Sequence, residues 1–173
     1  CITSKVFSDK SGKSYTSMVI RDVSDINEMK AKEYQHELIC RTITDASPLA
    51  YLVVDNRTDD IIYFNTLFCD IWGIKHLEKE MKNGTLKNND IIPACLPLIV
   101  DVPGFAESCK PLQDVNNRSV VEDEINFSDG RIIRRFTTQI RDSQDRYFGR
   151  LYIFEDITRR KRDEYFIAEQ KEK

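Results

Sequence analysis

The segment at residues 149–158, GRLYIFEDIT, joins a strand-like run to a helix-start signal. Aromatic and β-branched residues dominate residues 147–155, and this composition favours a β-strand. Asp156 and Thr158 carry a carboxylate and a hydroxyl, which can accept hydrogen bonds from the free N–H groups at the start of a helix. The segment therefore predicts a strand that passes directly into a helix over residues 159–173.

Four further runs upstream have the composition of strands, at residues 50–55, 61–65, 120–127 and 131–141. Asp129-Gly130 is a hairpin signal between the last two of them. Residues 66–113 show short helical patterns broken by glycine and proline, and residues 25–44 predict a longer linker helix. The order of elements predicts an α+β domain. We expect this domain to contain a five-stranded antiparallel sheet with short helices on one face, and to carry a flanking helix at each end.

The composition excludes several classes of protein. The net charge of -3 argues against a nucleic-acid binder, which usually carries a basic excess. The longest apolar run, residues 91–100, is too short to span a bilayer and is interrupted by proline, so we expect no direct membrane contact. The 5 cysteines lack CxxC spacing and only 2 histidines are present, which argues against a disulfide framework or a metal site. We therefore expect a reduced, cytoplasmic setting.

An internal repeat aligns residues 2–24 with residues 136–158 without gaps. Both segments hold two strand-like runs, a polar turn and then Asp-(Val/Ile)-(Ser/Thr). The residues at the two matching junctions are Asp22, Ser24, Asp156 and Thr158. A long period of this kind indicates tandem domains, so residues 1–24 are predicted to be the terminal hairpin of a preceding domain. Because an isolated hairpin is marginally stable, we expect it to pair with a sheet edge or a second chain.

Several motifs follow one another along the chain. They are Ala-Ser-Pro at 46–48, Ile-Tyr-Phe-Asn at 62–65, Phe-Cys-Asp-Ile-Trp-Gly at 68–73, a Glu-to-Arg stretch at 124–131 and Asp-Ile-Thr at 156–158. Their order and spacing resemble the PAS (Per-ARNT-Sim) sensor domain family over residues 40–165. The resemblance implies a PAS domain at residues 45–158, with a sheet of order 2-1-5-4-3 and a cavity between the sheet and its helices.

The resemblance also implies a function. We expect a tandem-PAS fragment of a bacterial or archaeal signalling protein, such as a sensor histidine kinase or a cyclic-dinucleotide enzyme. A homodimer would form through the flanking helices, and an output domain would follow in the same chain. The expected relay residues join sheets to helices: Asp156, Thr158, Asp22 and Ser24. No nucleophile, base and oxyanion donors converge, so we do not expect an enzyme. The alternative is a ligand-free spacer that sets dimer geometry.

The cofactor motifs of the family are not matched. Flavin-binding members carry Asn-Cys-Arg-Phe-Leu-Gln and a glutamine in the last strand, whereas this chain has Asn-Asn-Asp-Ile-Ile at 88–92 and Phe154. Cys95 lies nearby but lacks the neighbouring amide and arginine groups. Haem-binding members need an axial histidine, and residues 96–113 contain none, while His76 is predicted to lie in a surface loop. We therefore expect neither flavin nor haem, and a small organic ligand remains open.

The candidate ligand-binding residues come from the fourth strand and from the aromatic residues. Alternation places Ile133, Arg135, Thr137 and Gln139 on one face of that strand, and the resemblance directs this face to the cavity. Arg135 could clamp a carboxylate ligand or form an internal ion pair, which we favour. Its candidate partners are three helix acids: Asp70, Asp90 and Glu107. The aromatic candidates, for which core packing is the favoured role, are Trp72, Phe68, Phe105, Phe127, Tyr152 and Phe154.

Overall fold

The structure, a computed structural model, describes residues 2–20 and 24–171. It divides into two compact units, Cys1–Thr42 and Ile43–Lys173. Helix α1, Ser24–Ala46, begins in the first unit and ends in the second. The helix thus extends slightly beyond both ends of the predicted range.

The first unit contains strands β1 (Ile2–Ser8) and β2 (Ser14–Ile20), which form an antiparallel two-stranded sheet of their own. In its turn, the Asp9 carboxylate accepts hydrogen bonds from the backbone N–H groups of residues 11 and 13 at 2.9 and 3.1 Å. The expected pairing with another sheet edge is not found among the described residues, and pairing with a second chain stays a prediction. The relay candidate Asp22 lies outside the described residues, as does the side chain of Ser24.

The second unit contains a five-stranded antiparallel sheet. Its strands are β3 (Ala50–Asp55), β4 (Asp60–Phe64), β5 (Val121–Asn126), β6 (Ile132–Arg141) and β7 (Tyr147–Asp156). Their order across the sheet is β4-β3-β7-β6-β5. Counted within this unit alone, this order confirms the predicted 2-1-5-4-3. The last strand in sequence, β7, is therefore the central one and pairs with both β3 and β6.

Short helices connect β4 to β5, and one helix follows β7. They are α2 (Thr66–Ile71), α3 (Glu78–Lys82), α4 (Asn88–Cys95), α5 (Val102–Gln113) and α6 (Thr158–Lys171), with 3-10 turns at Lys75–Leu77 and Leu96–Leu98. Leu52 and Phe154 of the sheet share one core with Phe68 of α2 and Ile91 of α4. None of the helices within the described residues has the length and apolar character needed to span a bilayer.

Asn65 joins three elements of the second unit. Its side-chain oxygen accepts from the backbone N–H groups of Tyr51 at 2.9 Å and Phe68 at 3.3 Å. Its amide nitrogen donates to the carbonyls of Thr44 at 3.0 Å and Leu49 at 2.9 Å. Because Asn65 is only 2% exposed, these bonds are shielded from water and fix the end of α1, the start of β3 and the start of α2 together.

Gly149 lies in β7 opposite Ile140, where the register between β6 and β7 shifts. Its φ angle is 150°, and an added Cβ would stand 3.1 Å from the Val54 carbonyl oxygen and from Ile62 Cδ1. Only glycine adopts this backbone conformation without strain and leaves room for the neighbouring strand. The chain therefore needs glycine at the point where the register between β6 and β7 shifts.

Candidate ligand cavity

A cavity of about 380 Å³ lies between the inner face of the sheet and helices α4 and α5. Its apolar wall contains Leu52, Phe68, Trp72, Ile91, Ile92, Cys95, Phe105, Tyr152 and Phe154. Its rim is polar and contains Asn56, Arg57, Thr58, Asp59, Asn88, Asn89 and Gln113. The volume falls within the roughly 300–1,000 Å³ that small-molecule pockets occupy, so the cavity can accept an organic ligand.

Trp72 lies at the centre of the aromatic wall. Its ring centroid is 5.3 Å from that of Phe154, with an edge-on angle of 86°, and 6.2 Å from that of Phe105. On its other side Phe127 is 5.0 Å away. The indole Nε1–H is buried and has no acceptor among the described residues. The wall is therefore built from closely packed aromatic rings.

Arg135 is held in a buried ion pair. Its side chain is 1% exposed, and its Nε and Nη2 groups donate to the two carboxylate oxygens of Asp123, with Nε to Oδ1 at 2.8 Å. Nη2 also donates to Ser108 Oγ at 2.8 Å, and Nη1 donates to Cys109 Sγ at 3.0 Å. Burial opposes the charged form, but the bonds to Asp123 and Cys109 outweigh it and raise the pKa of Arg135. The guanidinium is therefore charged, and the N–H groups of its Nε–Nη2 edge already donate to Asp123.

The three predicted partners of Arg135 are wrong. Asp70 instead pairs with Lys75 at 3.1 Å, Glu107 pairs with Lys110, and Asp90 accepts from a backbone N–H at the start of α4. The true partner, Asp123, lies directly opposite Arg135 on β5. Because Asp123 and Arg135 are directly opposite each other on neighbouring strands, their side chains lie close enough to form the ion pair, and no acid from a helix is needed.

The cavity connects to α6 through β7. Tyr152 and Phe154 line the cavity, and the strand ends at Asp156. The next backbone N–H, that of Ile157, donates to the Ile132 carbonyl at 2.9 Å, while the Ile132 N–H donates to Thr158 Oγ1 at 2.9 Å. The Thr158 N–H donates to Asp156 Oδ1 at 3.0 Å. Two bonds to one residue of β6 thus fix the point where strand becomes helix.

Comparisons with known proteins agree with this architecture. Residues 41–107 match the model of the PAS domain family. The PAS domain of Bordetella pertussis BvgS is similar with a TM-score of 0.52 at 18% sequence identity, covering 80% of this chain and 98% of that one. The second unit has the PAS fold.

Two further solved structures are similar to the chain. One is an RNA-binding light-oxygen-voltage receptor, with a TM-score of 0.51 and 16% identity, covering 100% of this chain and 43% of that one. The other is the sensor region of a sensor histidine kinase, with a TM-score of 0.48 and 18% identity, covering 65% of this chain and 40% of that one. The chain therefore spans less than half the length of either protein. No curated protein matches the sequence significantly.

Six of the predicted site residues line the cavity of the PAS unit: Arg135, Trp72, Phe68, Phe105, Tyr152 and Phe154. Three do not. Phe127 packs behind Trp72, and Thr137 is buried beneath the Arg150 guanidinium, with Nη1 3.5 Å from its hydroxyl. Gln139 donates to the carbonyls of Val115 and Asn117 at 3.0 and 2.8 Å. The reason is that residues 114–119 cover this end of the inner face.

Arg150 is the main residue of this region that the sequence motifs do not indicate. It is fully buried, and it donates to the carbonyls of Asn117 and, at 3.4 Å, Ser119. Arg141 and Gln139 donate to the same segment, so side-chain donors of the sheet hold the loop by its backbone. The alternation of β7 could have indicated it, because Arg150, Tyr152 and Phe154 occupy every second position of the strand and therefore share its inner face.

Two titratable groups in the wall are neutral at ordinary pH. Burial raises the pKa of the Cys95 thiol to about 12 and that of the Tyr152 phenol to about 12. Cys109, also in the wall, meets the Arg135 guanidinium through its sulfur. Within the described residues no cluster of three or more histidine, cysteine or acidic side chains is placed to hold a metal ion.

Proposed function

We propose that the chain is a sensory and dimerisation PAS module, in which β7 relays the state of the cavity to α6. One observation carries the proposal: Tyr152 and Phe154 line the cavity, and the same strand ends just before α6 begins. An occupant that displaces either ring acts on the strand that holds the helix. A ligand that fits one position of the strand better than another would shift the population between them.

The bonds at the junction define how movement would pass to the helix. Ile157 and Thr158 both bond to Ile132, so sliding β7 against β6 must break or redirect these bonds. Asp156, which accepts from the Thr158 N–H, would move with the first turn of α6. Asp22 and Ser24 are proposed to act in the same way before α1, as the terminal residues of a preceding PAS repeat.

We propose that the module dimerises through its flanking helices and that an output domain follows in the same chain. Exposed apolar side chains on both helices support this pairing: Met29, Tyr34, Leu38 and Ile43 on α1, and Tyr165, Phe166 and Ile167 on α6. We propose a sensor histidine kinase or a cyclic-dinucleotide enzyme of bacterial or archaeal origin as the whole protein, as the sequence resemblance to the PAS sensor family implies.

The remaining parts of the proposal concern chemistry and location. We propose a non-catalytic, cytoplasmic module without flavin or haem, which contacts neither nucleic acid nor membrane directly. The net charge of -3 supports the absence of a nucleic-acid partner. The largely apolar cavity wall supports a small organic ligand.

A substitution that imitates an occupant tests the relay without a known ligand. Ile92 lies in the cavity wall, so Ile92→Trp should fill part of the space. We expect amide hydrogen exchange in the first turn of α6 to change severalfold relative to the unsubstituted chain. The matched control, Lys79→Trp, adds the same ring at an exposed position of α3 outside the wall and should leave α6 unchanged. Equal exchange in all three proteins would contradict the relay.

A ligand-free spacer is the second candidate. The close packing of Trp72 against Phe127 and Phe154 favours it, because rings already fill much of the core. Native mass spectrometry of the protein as purified, read beside its absorption spectrum, separates the candidates. A bound small molecule supports the sensor, whereas a bare protein together with an unresponsive α6 supports the spacer.

A further inference from the structure

The start of α4, residues 88–90, borders the mouth of the cavity. Asn88 and Asn89 lie on the rim, whereas Ile91 and Cys95 further along the helix are buried in the wall. The first N–H groups of a helix have no partner within the helix, so they need an acceptor from elsewhere. The residue that supplies this acceptor therefore decides how firmly one side of the mouth is held.

Asp59, in the turn between β3 and β4, supplies two acceptors to the start of α4. Its backbone carbonyl accepts from the Asn88 N–H at 3.0 Å, and its carboxylate oxygen Oδ2 accepts from the Asn89 N–H at 2.9 Å. Asp59 itself lines the rim of the cavity. The two bonds therefore join parts of the rim that are 30 residues apart in the sequence.

Lys87 makes a further contact between the same two segments. Its Nζ donates to the Thr58 carbonyl at 2.8 Å and to the Asp60 carboxylate at 3.1 Å. The side chains of Lys87 and Asp60 are 53% and 57% exposed, and an ion pair that water surrounds contributes little. The contact between α4 and the turn therefore depends mainly on Asp59.

The backbone on both sides of this contact has an uncommon feature. Asp59 has a φ angle of 63°, in the left-handed region, which aspartate tolerates better than most residues because its short side chain is polar. Pro93 lies inside α4 and has no N–H, so it cannot bond to the Asn89 carbonyl as the residue at this position of an ordinary helix would. The start of α4 thus has one bond fewer to the rest of its helix and relies more on Asp59.

We propose that Asp59 is a positioning residue that controls access to the cavity. Release of its two bonds lets the start of α4 move away from the turn and widens the mouth, while Ile91 stays in the core. The inference rests on the proposed function, because it concerns how a ligand reaches the same cavity.

Two cysteines distinguish this local opening from wider unfolding. Cys95 lies in the cavity wall but is only 8% exposed, so its thiol reacts faster when the mouth widens. Cys69 is 0% exposed and lies in the core outside that wall, so it reacts only when the domain unfolds more widely. Both rates are measured in one sample by alkylation with iodoacetamide and site-resolved mass spectrometry.

Substitutions at Asp59 separate the role of its carboxylate from that of the turn. Asp59→Gly removes the carboxylate, and glycine adopts the positive φ without strain. We expect Cys95 to react about tenfold faster in this variant, the effect of one lost hydrogen bond to a charged acceptor, with Cys69 unchanged. Asp59→Asn keeps an acceptor oxygen and tolerates the same φ, so its Cys95 rate should stay within about twofold of the unsubstituted chain.

The matched control is Asp145→Gly, the same substitution at a φ of 65° in the turn between β6 and β7, outside the cavity wall. It should leave both rates unchanged. Four results would overturn the inference: an unchanged Cys95 rate in Asp59→Gly, an equal rise at Cys69, an equal rise in Asp145→Gly, or an Asp59→Asn variant as fast as Asp59→Gly. None of them bears on the relay, because the experiment on Ile92→Trp measures amide exchange in α6. A relay without the opening would therefore refute the role of Asp59 and leave the sensory function standing.

Discussion

Replacing Asp123 by asparagine removes the carboxylate that neutralises the buried Arg135 guanidinium. The shape and one acceptor oxygen remain, so the change isolates the charge. Breaking a fully buried ion pair from one side costs about 3–5 kcal/mol. Arg135 is 1% exposed but Asp123 is 31% exposed, so water already weakens the pair from one side. We therefore expect Asp123→Asn to lower the free energy of unfolding by about 2–3 kcal/mol.

The neighbouring residue Glu122 provides the matched control. It lies on the same strand but on the opposite face, 3.2 Å from Arg134, with side chains 56% and 33% exposed. Exposed pairs of this kind contribute about 0–1 kcal/mol, so Glu122→Gln should change stability by less than about 0.5 kcal/mol. Urea unfolding followed by Trp72 fluorescence measures both variants, and the midpoint of Asp123→Asn should fall by roughly 1 M. Equal midpoints for the two variants would refute the reasoning.

Three further predictions concern the backbone, pH and the helix junction. Gly149→Ala should cost about 2–3 kcal/mol in urea unfolding, whereas Gly84→Ala, also at positive φ but with open space around it, should cost only about 1 kcal/mol. Burial raises the Cys95 pKa from 9.0 to about 12, so the stability it contributes is complete below pH 9.0 and declines as pH rises above it. Unfolding midpoints should fall less steeply with pH in Cys95→Ala, and parallel slopes would contradict this. Thr158→Ala removes the acceptor of the Ile132 N–H and should speed amide exchange at Ile132 and in the first turn of α6, whereas Thr158→Ser should not.

The strands could be predicted closely because their signals are local. Residues 50–55 are an apolar run with Pro48 before it and Asn56 after it, and β3 has those bounds. The bounds of α4 and α5 could not be predicted, since Pro93 and Pro103-Gly104 indicate breaks in a helical pattern. Pro93 lies inside α4, where it forfeits only its own N–H bond, and Pro103 lies in the first turn of α5, where a helix needs no such bond.

The candidate site was predictable in its apolar part and not in its polar part. Alternation groups Arg135 with Thr137 and Gln139 on one face of β6, the PAS resemblance directs that face to the cavity, and Arg135 lies in the cavity wall. The partner of Arg135 depends on the register between β5 and β6, which a hairpin signal alone does not fix. Residues 114–119 are held over the sheet by hydrogen bonds to their backbone carbonyls. Every residue type has such a carbonyl, so the sequence does not indicate this contact.

The way in which residues 115–119 are anchored has a practical consequence. Gln139, Arg141 and Arg150 grip this segment by its carbonyl oxygens, and every amino acid offers such an oxygen. The path of the loop can therefore persist while its side chains diverge between relatives. Asn116, whose side chain is exposed, is accordingly a suitable position for a fluorescent label that leaves the neighbouring cavity undisturbed.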